Sequence, residues 1–120
     1  MFELNCNIRD SDALRRSFNE LTQEVFWFDF EDWYKSGGWG DMYIPHAVVE
    51  DGEVVANVSV NIMPFSVGGV RKNYIQLGTV MTRPDRRGEG LGRAAMEFVL
   101  EKYLDAPDVD GIFFRKRQRA

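Results

Sequence analysis

Three glycines at alternate positions, Gly88, Gly90 and Gly92, separate a strand-forming run from a run with helical apolar spacing. The strand run ends at Val80-Met81-Thr82, and Pro84 stops it because proline has no N–H to give a sheet ladder. Beyond the glycines, Leu91, Ala94, Ala95, Phe98 and Val99 form an apolar stripe, with Arg93, Glu97 and Glu101 on the other face. A sheet strand must therefore pass through a glycine-rich loop directly into a helix that covers the sheet. Glycines let the backbone approach a ligand closely, and a helix start offers unpaired N–H groups at a positive dipole end. Together these predict a phosphate cradle. Arg86, Arg87 and Arg93 add charge-assisted donors to phosphate oxygens.

The rest of the chain predicts a mixed α/β sheet protein in the order β-α-α-β-β-β-α-β. Phe2 to Ile8 alternates apolar and polar residues and reads as a short strand. Asp10 or Ser11 caps a first helix from Asp12 to Phe26, where Leu14, Phe18, Leu21 and Val25 share a face. The aromatic run from Phe26 to Tyr34 contains a second, short helix that ends at Ser36-Gly37-Gly38-Trp39-Gly40. Tyr43 to Glu50 and Glu53 to Met63 form a hairpin around Asp51-Gly52, the second strand burying one face. Pro64 to Gly69 reads as a loop, and Val70 to Thr82 as a third sheet strand with a bulge or close approach at Gly78. The helix after the glycine loop runs from about Gly90 to Leu104, and Val109 to Phe114 is a final strand. At 120 residues this is one domain: 1–69 forms the first half, 70–114 the second, and 115–120 a basic tail.

Charge narrows the function. The net charge of −4 gives no support for nucleic-acid binding. Yet residues 71–93 carry six basic and two acidic groups, inside a protein whose first 70 residues carry four basic and twelve acidic ones. A cationic island in an acidic chain suits a local anion site, although a solvated loop with chance charge has the same composition. One cysteine and one histidine leave no basis for a disulfide scaffold, a Cys-rich zinc site or a Ser-His triad, so no metal is expected. Cys6 reads as a small buried hydrophobe. No apolar stretch is long enough to span a membrane and no leader pattern is visible, so a cytoplasmic protein with no membrane partner is expected.

The loop fits neither common nucleotide motif. A P-loop needs Gly-Lys-Ser/Thr, which is missing, and the G-x-G-x-x-G pattern started at Gly88 meets Arg93 at its last position. Arg87-Gly88-Glu89-Gly90-Leu91-Gly92 does fit Q/R-x-x-G-x-G/A, with Val80 and Pro84 in the lead-in. This segment resembles the acetyl-CoA pyrophosphate loop of the GNAT superfamily of N-acetyltransferases. The likeness extends over the whole chain in element order, with motif support from about Tyr74 to Leu104.

The resemblance implies a fold, a co-substrate and a reaction. Backbone amides from Arg87 through Gly92 would hold the pyrophosphate of acetyl-CoA. Backbone groups of Val80, Met81 and Thr82 would pair with the pantetheine arm. A splay between that strand and Val109–Phe114 would admit it. An N–H at Met81 would polarise the thioester carbonyl, and a primary amine on a small molecule or peptide would attack directly.

In the family the domain continues with another helix and two strands. This chain stops at Ala120, so truncation after the fifth strand is expected, or completion by a second copy pairing with the exposed terminal strand. A non-catalytic CoA-binding module is the alternative to an N-acetyltransferase.

No carboxylate stands on the strand that carries a base in some members, where Gln76 and Thr79 occur. His46, Glu50 and Glu20 are candidates for a base acting through water. The simpler reading makes His46 an ordinary strand or rim residue. Trp33 and Trp39 flank the glycine turn and are candidates for an acceptor pocket, core packing being the simpler role for most of the aromatics. Asp41, with Asp29, Glu31 and Asp32, could draw a cationic acceptor or form a solvated acidic face.

Overall fold

The computed structural model describes residues 2–114. The basic run 115–120 lies outside the described residues, as does any strand divergence beyond Phe114. The elements are β1 (Glu3–Asn5), α1 (Asp12–Phe26), α2 (Glu31–Lys35), β2 (Tyr43–Glu50), β3 (Glu53–Val67), β4 (Val70–Thr82), α3 (Leu91–Tyr103) and β5 (Gly111–Phe114). The strands form one sheet in the order β1-β2-β3-β4-β5. Neighbours are antiparallel except β4 and β5, which run parallel because α3 carries the chain back across the sheet. The helices and strands follow one another in the order expected from the sequence, β-α-α-β-β-β-α-β.

The sheet is covered on both faces. Val48, Val58, Val60, Ile75 and Leu77 meet Leu91, Ala95 and Val99 of α3. Ala47, Val49, Val54 and Met81 meet Phe18 and Leu21 of α1. Consecutive residues of β2 thus serve opposite cores, as a pleated strand requires. Ser11 caps α1 by accepting the Leu14 N–H at 3.2 Å. Trp27, at φ +65°, ends that helix, its N–H closing on Gln23 O at 2.9 Å.

Several boundaries differ from the sequence expectation, each for a physical reason. The first strand is only Glu3–Asn5, because the Asn5 side chain accepts the Asn7 N–H at 2.7 Å and turns the chain into a single 3-10 turn at Ile8–Asp10. β3 runs on to Val67, and the expected loop shrinks to Gly68-Gly69, both at positive φ. Pro64 is tolerated within β3 because β2 stops pairing at Tyr43↔Asn61, leaving the proline nitrogen on an open edge. Every residue from Val54 to Val60 is buried, so β3 hides both faces rather than one. The final strand starts only at Gly111: Asp110 donates its N–H to Asn73 O and accepts the Asn73 N–H on its carboxylate, both at 2.7 Å. Cys6 is half-buried, not part of the core, with Lys102 Nζ 3.3 Å from its sulfur.

The bulge falls one residue beyond Gly78. Gly78 pairs with Ser59 and Met81 with Asn57, so Thr79 and Val80 together oppose Val58. Thr79 adopts φ +47°. The bulge also switches faces: Ile75 and Leu77 pack beneath α3, whereas Met81 packs beneath α1.

Candidate active site

Where β4 ends, Pro84–Arg86 make one 3-10 turn, closed by Arg86 N–H on Arg83 O at 2.9 Å. Gly88 and Gly90 then take φ +87° and +81°, values at which only glycine is unstrained. The first helical bond of α3 is Ala94 N–H to Gly90 O at 3.0 Å. Consequently, among the described residues, the N–H groups from Arg87 through Arg93 have no hydrogen-bond partner. Gly90 has no side chain to cap the helix, in contrast to Ser11 on α1. A Cβ at Gly88 or Gly90 would meet nothing within 4 Å, so the concave side of the loop is open, while a Cβ at Gly92 would stand 3.0 Å from Thr82 Oγ1. The missing side chain at Gly92 lets the first turn of α3 lie close to β4. The result is a row of free amides at the positive end of a helix, which suits a diphosphate.

The arginines divide in two groups. Arg86 bonds Glu50 through both Nη atoms at 3.0 and 3.2 Å, and Glu89 at 2.8 and 3.0 Å. These carboxylates, Glu89 first, raise its pKa, and Arg86 in turn holds the Glu50 carboxyl below the usual carboxylate range. Arg86 is therefore a loop brace rather than a free phosphate ligand, and Glu50 is not a free base. Arg87 and Arg93 are exposed and enter no ion pair among the described residues.

Along β4 the ladder decides which amides are available. Arg83 N–H donates to Val55 O at 2.8 Å, and Met81 pairs with Asn57 in the same register. Antiparallel alternation then points the Met81 N–H at β3, and those of Val80 and Thr82 away from it. This moves the expected carbonyl donor from Met81 to Val80. The Met81 side chain is buried, with Thr22 Oγ1 3.7 Å from its sulfur.

Beside the bulge lies a polar group on the α1 side of the sheet. The Tyr43 hydroxyl is 2.6 Å from Thr79 Oγ1, and Asn57 Nδ2 donates to Thr79 O at 3.0 Å and Ser59 Oγ at 2.9 Å. Burial pushes the Tyr43 phenol up, only partly offset by its bonds to Ser59 and Thr79. Sequence reasoning missed Tyr43 and Asn57 as site residues. The available signal was two polar residues, Asn57 and Ser59, inside an otherwise apolar buried run.

The aromatic cluster reaches this point. Trp39 is buried and donates its indole N–H to Tyr43 O at 2.9 Å. Trp33, half-exposed, stacks on Trp39 with ring centroids 6.0 Å apart and meets Tyr43 edge-on at 5.6 Å. Asp41 is exposed, and its carboxylate pairs with Arg9 at 3.0 Å.

His46 is neither a rim residue nor an accessible base. It is fully buried on the α3 side, edge-on to Phe98 and Tyr103 at 5.2 and 5.4 Å. Its Nδ1 donates to Ile44 O at 2.9 Å, and burial lowers its pKa to about 4. Glu20 lines a separate cleft of about 660 Å³ formed by α1 and the segment leading into α2. Arg15 crosses that cleft to Glu31 and Asp12, at 3.0 and 2.9 Å.

A mixed sheet with a free-amide loop leading into α3 is an acetyltransferase-like architecture. The sequence profile described as "Acetyltransferase (GNAT) family" matches residues 10–117, and the chain belongs to that family. No curated protein sequence matches it. Among solved structures, glucosamine-6-phosphate N-acetyltransferase from Arabidopsis thaliana superposes with a TM-score of 0.75 at 17% identity, covering 98% of this chain and 83% of that one. An acetyltransferase from Trypanosoma brucei gives 0.73 at 18% identity, with 98% and 84% covered. Ribosomal-protein-alanine N-acetyltransferase from Brucella melitensis biovar Abortus 2308 gives 0.71 at 15%, with 98% and 82% covered. At these identities the likeness is one of fold.

Proposed function

We propose that the protein is an acetyl-CoA-dependent N-acetyltransferase acting on a primary amine of a small molecule or peptide. The observation that carries this reading is the row of N–H groups from Arg87 through Arg93 that have no partner among the described residues, at the start of α3. Acetyl-CoA would supply the activated acyl group. The loop amides, with Arg87 and Arg93, bind its diphosphate. Thr82 turns its amide to the β4 edge, where the pantetheine arm can pair with it like an added strand, and the Val80 amide on the same edge is left for the thioester. The Val80 N–H stabilises negative charge on the thioester oxygen. An amine seated near Trp33 and Tyr43 attacks directly, so no enzyme nucleophile is needed. The same reading treats residues 1–120 as one domain, 1–69 on the acceptor side and 70–114 holding the acyl donor.

A non-catalytic CoA-binding module is the second reading. It is favoured by one observation: of the three candidates for the base, His46 is in the core, Glu50 is engaged with Arg86, and Glu20 lines the separate α1 cleft. Calorimetric titration with CoA, followed by thiol release from acetyl-CoA over an amine panel, separates the outcomes. Binding with turnover supports the enzyme, binding without turnover supports the module, and no binding removes both.

A further inference from the structure

The bulge of β4 rests on a residue poorly suited to it. Thr79 is β-branched yet sits at φ +47°, where such side chains crowd the backbone. Strain of this kind persists only where the surroundings hold it. Two side chains do so: Asn57 grips the Thr79 carbonyl, and the Tyr43 hydroxyl meets the Thr79 hydroxyl. Neither is there merely to fill space. Asn57 is wholly buried and its Oδ1 has no partner among the described residues, a cost that a valine like its neighbours would not carry. The Tyr43 ring is held between Phe30, Trp33 and Trp39 at centroid distances of 5.2, 5.6 and 5.6 Å.

What the bulge achieves follows from the register. If the Gly78↔Ser59 pairing continued unbroken, Val80 would oppose Asn57 and spend its N–H on β3. The extra residue makes Met81 oppose Asn57 instead, and Val80 and Thr82 turn their amides away from β3, to a side of β4 that has no partner strand among the described residues beyond Leu77↔Phe114. The transfer of Met81 to the α1-side core, opposite Ile75 and Leu77, is the side-chain record of the same shift.

We infer that Asn57 and Tyr43 are positioning residues that pin Thr79 in its left-handed conformation and thereby aim the Val80 N–H at the thioester carbonyl. This rests on the acetyl-CoA reading above. It adds a specific consequence: the clamp should distinguish acetyl-CoA from CoA, because only acetyl-CoA brings the carbonyl.

The test titrates 15N-labelled protein with CoA and with acetyl-CoA, by calorimetry and by amide shifts. The wild-type chain should bind acetyl-CoA roughly three- to tenfold more tightly than CoA, the range of one added hydrogen bond. The Val80 amide should move with acetyl-CoA and not with CoA. Tyr43→Phe keeps the ring and removes only the hydroxyl; Asn57→Ala removes the grip on the carbonyl. Both should retain CoA binding and lose the preference together with the Val80 shift. Adding Thr79→Gly to Asn57→Ala should restore both, since glycine takes positive φ without a clamp. A wild-type preference that survives both single substitutions, or that the double variant fails to recover, overturns the inference. Failure of the loop reading is separately visible, as loss of CoA binding by the wild type itself, and overturns both.

Discussion

Arg86 and Glu50 meet through two hydrogen bonds, Nη1 to Oε1 at 3.0 Å and Nη2 to Oε2 at 3.2 Å. The contact ties the glycine loop to the end of β2 and draws one cation away from the open amides. Glu50→Gln should release part of that charge to a bound diphosphate. CoA affinity should rise by roughly twofold to fivefold, the scale of a partly exposed ion pair, and the gain should shrink with added salt. Calorimetry at two ionic strengths checks this, and unchanged or weaker binding would count against it. Because Arg86 depresses the Glu50 pKa, the pair's contribution is complete above the unfolded value of 4.5 and is lost only as pH falls through the lower folded one.

Gly90 joins two requirements, a positive φ and empty space on the ligand side. Gly90→Ala should strain the backbone and cost on the order of 1 kcal/mol of stability. Gly90→Glu adds a carboxylate where the diphosphate is to sit and should abolish CoA binding while leaving a cooperative thermal transition. Retained affinity in Gly90→Glu would remove the loop from the binding site.

The buried imidazole of His46 makes stability depend on pH. Its folded pKa is about 4 against 6.5 for the free group, with burial the main cause, the bond to Ile44 opposing it and Lys102 reinforcing it. Between those values the unfolded chain binds the proton and the folded one does not, so stability falls as pH drops from 6.5 towards 4 and is level above 6.5. The full effect is on the order of 3 kcal/mol. Urea unfolding at pH 7.5, 5.5 and 4.5 should show the decline, and His46→Leu should flatten much of it. An unchanged slope in His46→Leu would assign the pH dependence elsewhere.

The long strands were legible because their signals are local. Asp51-Gly52 turns at φ +53° and +78° between two alternating runs, and Val70–Thr82 begins after Gly68-Gly69 and ends before Pro84. The same holds for Ser11, whose side chain caps α1 where a cap was expected. What sequence could not show depends on partners far along the chain. Pro64 reads as a loop residue until β2 is known to stop short of it. The role of Met81 reverses because one extra residue at Thr79 changes the ladder's phase, and that residue is held by Tyr43 and Asn57, 36 and 22 positions earlier. Arg86 looks identical to Arg87 in sequence; only the fold brings Glu50 to one and not the other.

Trp33 and Trp39 look equivalent in sequence, yet the structure separates them. Their rings are nearly parallel, 11° apart, but Trp39 is 4% exposed and Trp33 40%. Trp39 packs on Phe18 at 5.8 Å and satisfies the Tyr43 carbonyl, so Trp39→Ala opens a cavity under the start of β2 and should cost about 3–5 kcal/mol. Trp39→Phe should cost about 1 kcal/mol, through the lost indole N–H. Trp33 covers Trp39 from the outside, and a Cβ at Gly38 would run into its indole, so the glycine turn is shaped to hold that ring. Trp33→Ala should cost only about 1–2 kcal/mol, because much of the ring is already in water. Its larger effect should fall on the amine: a raised KM for any acceptor found in the panel, with CoA affinity unchanged. Urea denaturation of the three variants beside amine kinetics of Trp33→Ala gives the comparison. Equal stability losses at the two tryptophans would show that Trp33 is a core residue and not part of an acceptor surface.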